Sequence, residues 1–188
     1  MSLKGVIGNT ISGNSCLAVN PTGQEVAYTA GATLVFYNPK AHKQTKFIVS
    51  ENRRKLSCVT FSRDGRFIAA GETGRRPSIL IWDAASGNLK AEISGHHDLT
   101  VQGLQFSPDG KLLASVGSLG DGKLCVWSWE NKGLVASARV ASNITSLSFS
   151  QDSQVLLTAG SKGHLKHWSV VSPSLSGKLQ QLRGRKAV

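Results

Sequence analysis

Residues 104–128 decide the fold of this chain, and they read LQFSPDGKLLASVGSLGDGKLCVWS. Two apolar segments flank the turn at 107–110, and a third apolar segment ends at Trp127. Proline at the second position of a turn fixes φ, and the glycine that follows accepts positive φ, so the flanking segments fold back as a hairpin. The stretch therefore predicts three consecutive antiparallel strands.

The same pattern occurs four times along the chain, and each copy closes on an aromatic residue. These residues are Tyr37, Trp82, Trp127 and Trp168, with spacings of 45, 45 and 41 residues. A period of about 40 to 45 residues with several short strands is typical of one blade of a β-propeller. Because no long window before residue 172 has helical periodicity, we predict an all-β fold of about four four-stranded antiparallel blades.

The period also sets the domain organisation. It divides the chain into units at about 1–48, 49–93, 94–138 and 139–171. Residues 3–12 are available as an outer strand. The repeat breaks at Pro173, and we expect residues 172–188 to form a basic, flexible tail outside the blades.

Several of these motifs resemble the WD40 repeat family. They are the Gly95 and His96 pair, the turn at 107–110, and the Trp82 and Asp83 pair that closes the second unit. The resemblance covers roughly residues 16–171 and implies four-stranded blades around a central channel. It also implies a structural hydrogen-bond tetrad of His96, Ser115, Asp121 and Trp127. The first and fourth units lack the complete set, so we expect packing rather than this network to hold them.

A narrower resemblance rests on residues 71–83, 127–137 and 147–152. These segments are similar to the large scaffold subfamily that contains mitogen-activated protein kinase-binding protein 1 and its spindle-pole relative. The resemblance implies a non-catalytic, cytoplasmic protein-interaction scaffold, in kinase signalling or at the spindle or centrosome. The kinase-docking segments of that subfamily lie beyond a chain of this length, so we do not assign that function to residues here.

His96, Ser115 and Asp121 also have the residue types of a catalytic triad. The serine lacks the strand-to-helix elbow and oxyanion donors that such a site needs, so we interpret the three residues as structural. The glycine-rich segment 117–122 precedes a strand rather than a helix, which argues against a nucleotide site. His164 and His167 would point to opposite faces of a strand. We therefore predict no catalytic residue, cofactor or metal, and no enzyme.

The net charge of +11 is concentrated in two segments, 40–55 and 172–188. Basic residues on propeller loops usually serve solubility, so we name only a few candidates for interaction loops. They are Arg53, Arg54, Lys55, Arg75, Arg76 and His97. The alternatives are an acidic protein, such as a tubulin-like surface, and an RNA backbone. Phosphate binding would make this a nucleic-acid- or ribosome-associated protein. The absence of aromatic residues among the basic ones argues against it.

The length of 188 residues corresponds to about four blades. WD40 relatives usually have seven or more, so we expect an incomplete, open ring whose end blades invite self-association or completion by further blades. A truncated isoform without independent function is the remaining alternative. No apolar stretch approaches the ~20 residues of a membrane span. Cys16, Cys58 and Cys125 lie in apolar segments, and we expect buried, reduced thiols.

Overall fold

The chain is all-β, as predicted. A computed structural model describes residues 5–6, 8–9, 15–23, 25–170 and 180–181. This part of the chain contains sixteen strands and no helix. The strands form four antiparallel sheets, each built from four consecutive strands, and each sheet is one blade.

The blades follow one another along the chain. Blade 1 consists of Leu17–Val19 (β1), Val26–Ala30 (β2), Thr33–Asn38 (β3) and Lys43–Val49 (β4). Blade 2 consists of Leu56–Phe61 (β5), Phe67–Glu72 (β6), Ile79–Asp83 (β7) and Leu89–Ile93 (β8). Blade 3 consists of Val101–Phe106 (β9), Leu112–Gly117 (β10), Lys123–Ser128 (β11) and Gly133–Arg139 (β12). Blade 4 consists of Ile144–Phe149 (β13), Val155–Gly160 (β14), His164–Ser169 (β15) and Gln180–Gln181 (β16).

The first strands of the four blades lie side by side at the centre, where β5 contacts β1 and β9, and β9 contacts β13. Backbone contacts join neighbouring blades directly, for example from the Val59 N–H to the Ser15 carbonyl at 2.7 Å. The sheets do not close into a ring. The predicted open arc of four propeller blades is therefore confirmed.

The hydrophobic core is divided into three clusters, and each lies between two successive blades. Between blades 1 and 2, Leu34 and Phe36 pack with Ile68 and Trp82. The second cluster joins Ile79 and Ile81 to Leu113 and Trp127, and the third joins Leu124 and Val126 to Leu156 and Trp168. A blade is thus stabilised by burying apolar side chains against its neighbour, which is the behaviour of stacked repeats.

The turns between the first two strands of blades 2, 3 and 4 are built in one way. Ser62, Ser107 and Ser150 each donate a 2.5 Å hydrogen bond to the aspartate two residues later. The Ser62 hydroxyl is the main cause that lowers the pKa of Asp64. The hairpin predicted at 107–110 is confirmed, with Gly110 at a φ of 74°.

The structure differs from the predicted boundary at residue 171. β16 lies inside the segment assigned to the tail, and it pairs with Trp168 and Ser169 as the fourth strand of blade 4. The other residues of 172–188 lie outside the described residues. The same is true of most of 3–12, where the described Val6 donates its N–H to the Gln44 side chain at 2.9 Å and forms no strand.

The three cysteines are free and buried, as their apolar surroundings predicted. Burial raises the pKa of both Cys58 and Cys125 to about 12. Cys16 donates its S–H to the Ser57 carbonyl of blade 2 at 2.8 Å. The thiols therefore act as packing groups at the junctions of the blades.

Candidate functional site

A chain of buried polar side chains crosses blade 3, and we call it the blade 3 network. Trp127 donates its indole N–H to the Ser115 hydroxyl at 2.8 Å. Ser115 Oγ lies 2.8 Å from Nε2 of His97, whose Nδ1 lies 2.5 Å from Oδ2 of Asp121. The other carboxylate oxygen of Asp121 accepts the backbone N–H of Asp98 at 2.8 Å. The network links β10, β11 and the two loops that precede β9 and β11.

The direction of each hydrogen bond follows from the chemistry of the groups. Because the Trp127 indole can only donate, Ser115 accepts from it and has its own hydroxyl hydrogen free for His97. When Ser115 donates this hydrogen, His97 Nε2 accepts it and Nδ1 donates to Asp121, which is one neutral tautomer. Burial lowers the pKa of His97, although the hydrogen bond to Asp121 opposes this effect. The neutral histidine is therefore the form that satisfies every group.

The histidine of this network is His97, and the prediction of His96 was wrong. His97 is buried, while the adjacent His96 is exposed. His96 lies edge-on against the Trp127 ring, with ring centroids 4.9 Å apart. Because its side chain is buried, His97 is not accessible to a partner as an interaction residue. The sequence alone contains no feature that distinguishes which of the two adjacent histidines is buried in the network.

Gly117 provides the space for the carboxylate of Asp121. A Cβ on Gly117 would overlap Asp121 Oδ2, so a side chain at this position would occupy the place where that carboxylate lies. Glu72 occupies the corresponding last position of β6 in blade 2, and it is fully buried. It accepts the Ser78 N–H and the Asn52 amide N–H at 3.0 Å each. Blade 2 thus provides its buried carboxylate from a strand instead of a turn.

Blade 4 contains a shorter hydrogen-bond network that was not predicted from the sequence. Trp168 donates its indole N–H to Thr158 Oγ1 at 2.9 Å, and Thr158 Oγ1 lies 2.8 Å from Nε2 of His164. Thr158 and Trp168 correspond to Ser115 and Trp127, so an alignment of the hydroxyl positions contained a usable signal. The histidine comes from the start of β15 in the same blade, a place that the repeat pattern gives no reason to search. Blade 4 lacks the complete four-residue set, as its sequence indicated, but it has this shorter polar network in addition to its packing.

The blade 3 network has triad residue types but not the geometry of a hydrolytic site. Ser115 has no exposed surface, and its oxygen already accepts the indole N–H. A nucleophile must instead reach a substrate and lie beside oxyanion donors. Among the described residues, no group of three or more His, Cys, Asp or Glu side chains could hold a metal ion.

Two cavities open between the central strands of the arc. Among the described residues that line them, the single charged side chain is Arg63, which donates to the Gln151 side chain of blade 4 at 3.0 Å. The described lining contains no carboxylate, although an active site in the channel would draw acids from several blades.

The structure brings two separate basic segments onto one exposed surface, which we call the basic loop face: Arg53, Arg54, Lys55, Arg75 and Arg76. Nη1 of Arg54 donates to the backbone carbonyls of Arg75 at 2.9 Å and Arg76 at 3.1 Å. The Arg76 N–H donates to the Asp98 carbonyl at 3.0 Å, which joins the face to the loop of blade 3. Three loops at one end of blades 2 and 3 thus form a single surface.

The residues of the basic loop face form no close ion pair with other described residues. Among the described residues, the ion pairs within 4.0 Å are His97 with Asp121 and Lys123 with Asp98, and neither includes a residue of the face. The backbone of Arg53 and Arg76 has positive φ values of 51° and 47°. Both residues are exposed to solvent.

Comparison with known proteins identifies the repeats. The WD40 model, described as "WD domain, G-beta repeat", matches residues 43–83, 87–128 and 135–169. The chain belongs to the WD40 repeat family. A chain in the "Crystal Structure of Mitotic Checkpoint Complex" has a TM-score of 0.73 at 21% identity, covering 89% of this chain and 52% of that chain. This likeness supports the WD40 propeller fold.

Curated relatives place the chain more narrowly within the WD40 family. Mitogen-activated protein kinase-binding protein 1 of Mus musculus is 38% identical over 168 residues, and WD repeat-containing protein 62 of Sus scrofa is 40% identical over 168 residues. Each alignment covers 89% of this chain and 11% of the relative, so the chain spans about a tenth of these proteins. The predicted resemblance to the first of these is confirmed. Within the described residues, no helix is long and apolar enough to cross a membrane.

Proposed function

We propose that this chain is a non-catalytic, cytoplasmic scaffold that binds acidic segments of other proteins through the basic loop face. The observation that carries the proposal is the meeting of residues 53–55 and 75–76 on one exposed surface, where none of them forms an ion pair within 4.0 Å with another described residue. Loops held on a rigid β-framework are common binding sites in proteins. A WD40 scaffold related to mitogen-activated protein kinase-binding protein 1 is consistent with this role.

The hydrogen bonds behind the face support the proposal because they fix its shape before a partner arrives. The Arg54 side chain, the Arg76 N–H and the Thr73 N–H each bind a carbonyl of another loop, the last at 2.8 Å to Lys55. A surface that is already ordered loses little conformational entropy on binding. Its positive potential also accelerates the encounter with an acidic partner.

The non-catalytic part of the proposal rests on the burial of Ser115 and on the lining of the central cavities. The one described Ser, His and Asp constellation is closed to solvent. Its hydrogen bonds instead join loops and strands of one blade, which is a stabilising role.

For the cellular setting, we propose kinase signalling, with the spindle or centrosome as the alternative. The name of the mouse relative states that it binds a mitogen-activated protein kinase. The alignment reaches only 11% of that protein, so the name supports a setting rather than a specific contact.

The binding test compares an acidic peptide with a single-stranded oligouridine, both fluorescein-labelled, by fluorescence anisotropy. The test variant is Arg53→Glu with Arg75→Glu, and the matched control is Lys90→Glu with Lys111→Glu. The control makes the same change of net charge, and both of its lysines are exposed and outside the face. We expect the test variant to weaken peptide binding by about tenfold or more, because charge reversal removes two attractions and adds two repulsions. The control variant should bind the peptide like the wild type.

Equal losses in both variants would show that net charge alone attracts the peptide, and would refute the face as a binding site. Oligouridine that binds more tightly than the peptide, and loses about 10³-fold affinity between roughly 50 and 200 mM salt, would favour a nucleic-acid-binding protein.

A further inference from the structure

Two exposed leucines lie in loops beside the basic loop face, and we call Leu99 and Leu119 the leucine pair. Eight large hydrophobic side chains are exposed among the described residues, and these two are the ones that lie in loops rather than in strands. Leu99 is 39% exposed and Leu119 is 58% exposed. Both belong to blade 3, which packs against blade 2 on one side and blade 4 on the other. Their exposure therefore does not depend on where the arc ends.

The two leucines form one apolar surface. A Cβ on Gly120 would lie 3.1 Å from Leu99 Cδ1, so the Leu99 side chain lies over the residue that follows Leu119. The Ser118 N–H donates to the Thr100 carbonyl at 2.9 Å, which joins the two loops at residues adjacent to the leucines. Because this hydrogen bond fixes the two loops relative to each other, the leucine pair is ordered before a partner binds.

The loop that carries Leu99 also contacts the basic loop face. The Arg76 N–H donates to the Asp98 carbonyl at 3.0 Å, and Asp98 immediately precedes Leu99. The Asp98 carboxylate lies 2.6 Å from Lys123 Nζ, so the acidic side chain beside Leu99 already has a partner cation. A partner that contacts the arginines is therefore within reach of the leucines.

The two loops at this end of the arc differ in chemistry between blades 2 and 3. The loop before the first strand carries three basic residues at 53–55 in blade 2 and Leu99 in blade 3. The loop between the second and third strands carries two arginines at 75–76 in blade 2 and Leu119 in blade 3. Equivalent loops of neighbouring blades thus form a surface with a positive half and an apolar half.

We infer that the leucine pair binds a large apolar side chain of the same acidic segment that the basic loop face binds. The partner motif is then a run of acidic residues with a leucine, or a side chain of similar size, within about four residues of it, since an extended peptide advances ~3.3 Å per residue. This inference rests on the proposed function and adds a second requirement to it. Charge attracts the segment, and burial of apolar surface selects among acidic segments.

A peptide fits this surface better than an anionic membrane, which also binds basic and apolar groups. Asp98 is exposed and directly precedes Leu99. A flat anionic bilayer that covered the leucines would therefore meet a carboxylate of its own charge. A peptide can instead place neutral backbone at this position and its acidic side chains over the arginines.

The experiment measures the fluorescence anisotropy of fluorescein-labelled peptides that bind the full chain. Each peptide carries four glutamates and either a leucine or a serine, placed before the glutamates in one pair of peptides and after them in another. The test variants are Leu99→Ser and Leu119→Ser. The matched control is Leu89→Ser, because Leu89 is 40% exposed at the start of β8, at the opposite end of this strand from the loop of Leu99. Circular dichroism verifies the fold of each variant.

We expect the wild type to bind the leucine peptide about fivefold more tightly than the serine peptide in at least one of the two orders, because the leucine buries apolar surface on binding. Each test variant should reduce this preference to about twofold or less and leave the affinity for the serine peptide unchanged. The Leu89→Ser control should keep the full preference.

A wild type that binds the leucine and serine peptides equally in both orders overturns the inference and leaves the proposed function standing. A preference that persists in both test variants also overturns it. If Arg53→Glu with Arg75→Glu weakens the binding of neither peptide, the proposed function fails and this inference fails with it. Binding to vesicles of phosphatidylserine and phosphatidylcholine that Leu119→Ser abolishes would assign the leucine pair to a membrane instead.

Discussion

Blades 3 and 4 each bury a hydrogen-bonded tryptophan N–H, but the residues that complete the two networks differ. Both have a buried tryptophan N–H bound to a hydroxyl, and both place a histidine Nε2 2.8 Å from that hydroxyl. In blade 3 the histidine comes from the preceding loop and is held by Asp121, whereas in blade 4 it comes from β15. The blade 3 network therefore fastens a loop to the sheet, while the blade 4 network joins only neighbouring strands.

The position of each blade accounts for part of the difference. Blade 3 is covered on both sides, so its network lies in a dry environment, where hydrogen bonds are strong and lost partners are costly. Blade 4 has one face that no other described blade covers, and Leu165 on this face is exposed. Burial lowers the pKa of both His97 and His164, with Lys166 adding to the effect at His164. The comparison teaches that the hydroxyl and tryptophan pair is the constant element and that the histidine and acid vary.

The largest expected effect that separates the two blades comes from Asp121→Ala. The substitution leaves the His97 Nδ1–H and the Asp98 N–H without acceptors in a buried site, which costs about 3 kcal/mol. For a chain of this length, the melting temperature should fall by about 6 to 12 °C. Thermal unfolding followed by circular dichroism measures the change.

The matched control for Asp121→Ala is Asp98→Ala, which removes an adjacent but exposed carboxylate and its ion pair with Lys123. Its melting temperature should stay close to that of the wild type, since exposed ion pairs contribute little. Similar losses in both variants would contradict the role of Asp121 as the anchor of the loop.

An intermediate effect is expected from removing the shared hydroxyl in each blade. Ser115→Ala and Thr158→Val each leave an indole N–H and a histidine nitrogen unpaired. The loss should be about 2 kcal/mol in blade 3 and about 1 kcal/mol in blade 4, where water reaches the open face more easily. Chemical denaturation of both variants measures the two free energies of unfolding. Equal losses would show that the contribution of the hydroxyl to the free energy of unfolding does not depend on whether a neighbouring blade covers its own blade.

The smallest expected effect is on the pH dependence of stability. Because burial lowers the pKa of His97 and His164 from 6.5 in the folded chain, the unfolded chain binds protons more readily. Their stabilising contribution is therefore complete above about pH 6.5 and decreases as the pH falls below that value toward the folded-state pKa. The melting temperature should be lower at about pH 5.5 than at about pH 7.5, a window above the ordinary titration range of the carboxylates.

Two substitutions test which histidine causes this pH dependence of the melting temperature. His97→Gln should reduce the difference in melting temperature between the two pH values, because it removes the buried titratable group of blade 3. His96→Gln should preserve the difference, because His96 is exposed and outside the network. If His96→Gln reduced the difference in melting temperature more than His97→Gln does, His96 rather than His97 would be the histidine of the network.

Much of the architecture could be predicted because it depends on local rules. The turn at 107–110 and the aromatic spacing gave the strands, the four blades and the open arc, and the structure confirms them. β16 could not be found, since it follows the end of the repeat pattern and consists of two polar residues. The blade 4 network was not predicted because Thr158 is hydrogen-bonded to His164, and the repeat pattern predicts no histidine at that position.

The sequence by itself determined the period, the hairpins and the family, because turn chemistry and alternating apolar residues act over a few neighbouring positions. Only the tertiary structure decided that His97 rather than His96 enters blade 3, since this choice depends on the direction in which a loop crosses the sheet. It also decided that Arg54 and Arg75 share one face and that Leu17 and Leu165 are exposed. Those relations join residues far apart in the chain, and packing between blades fixes them.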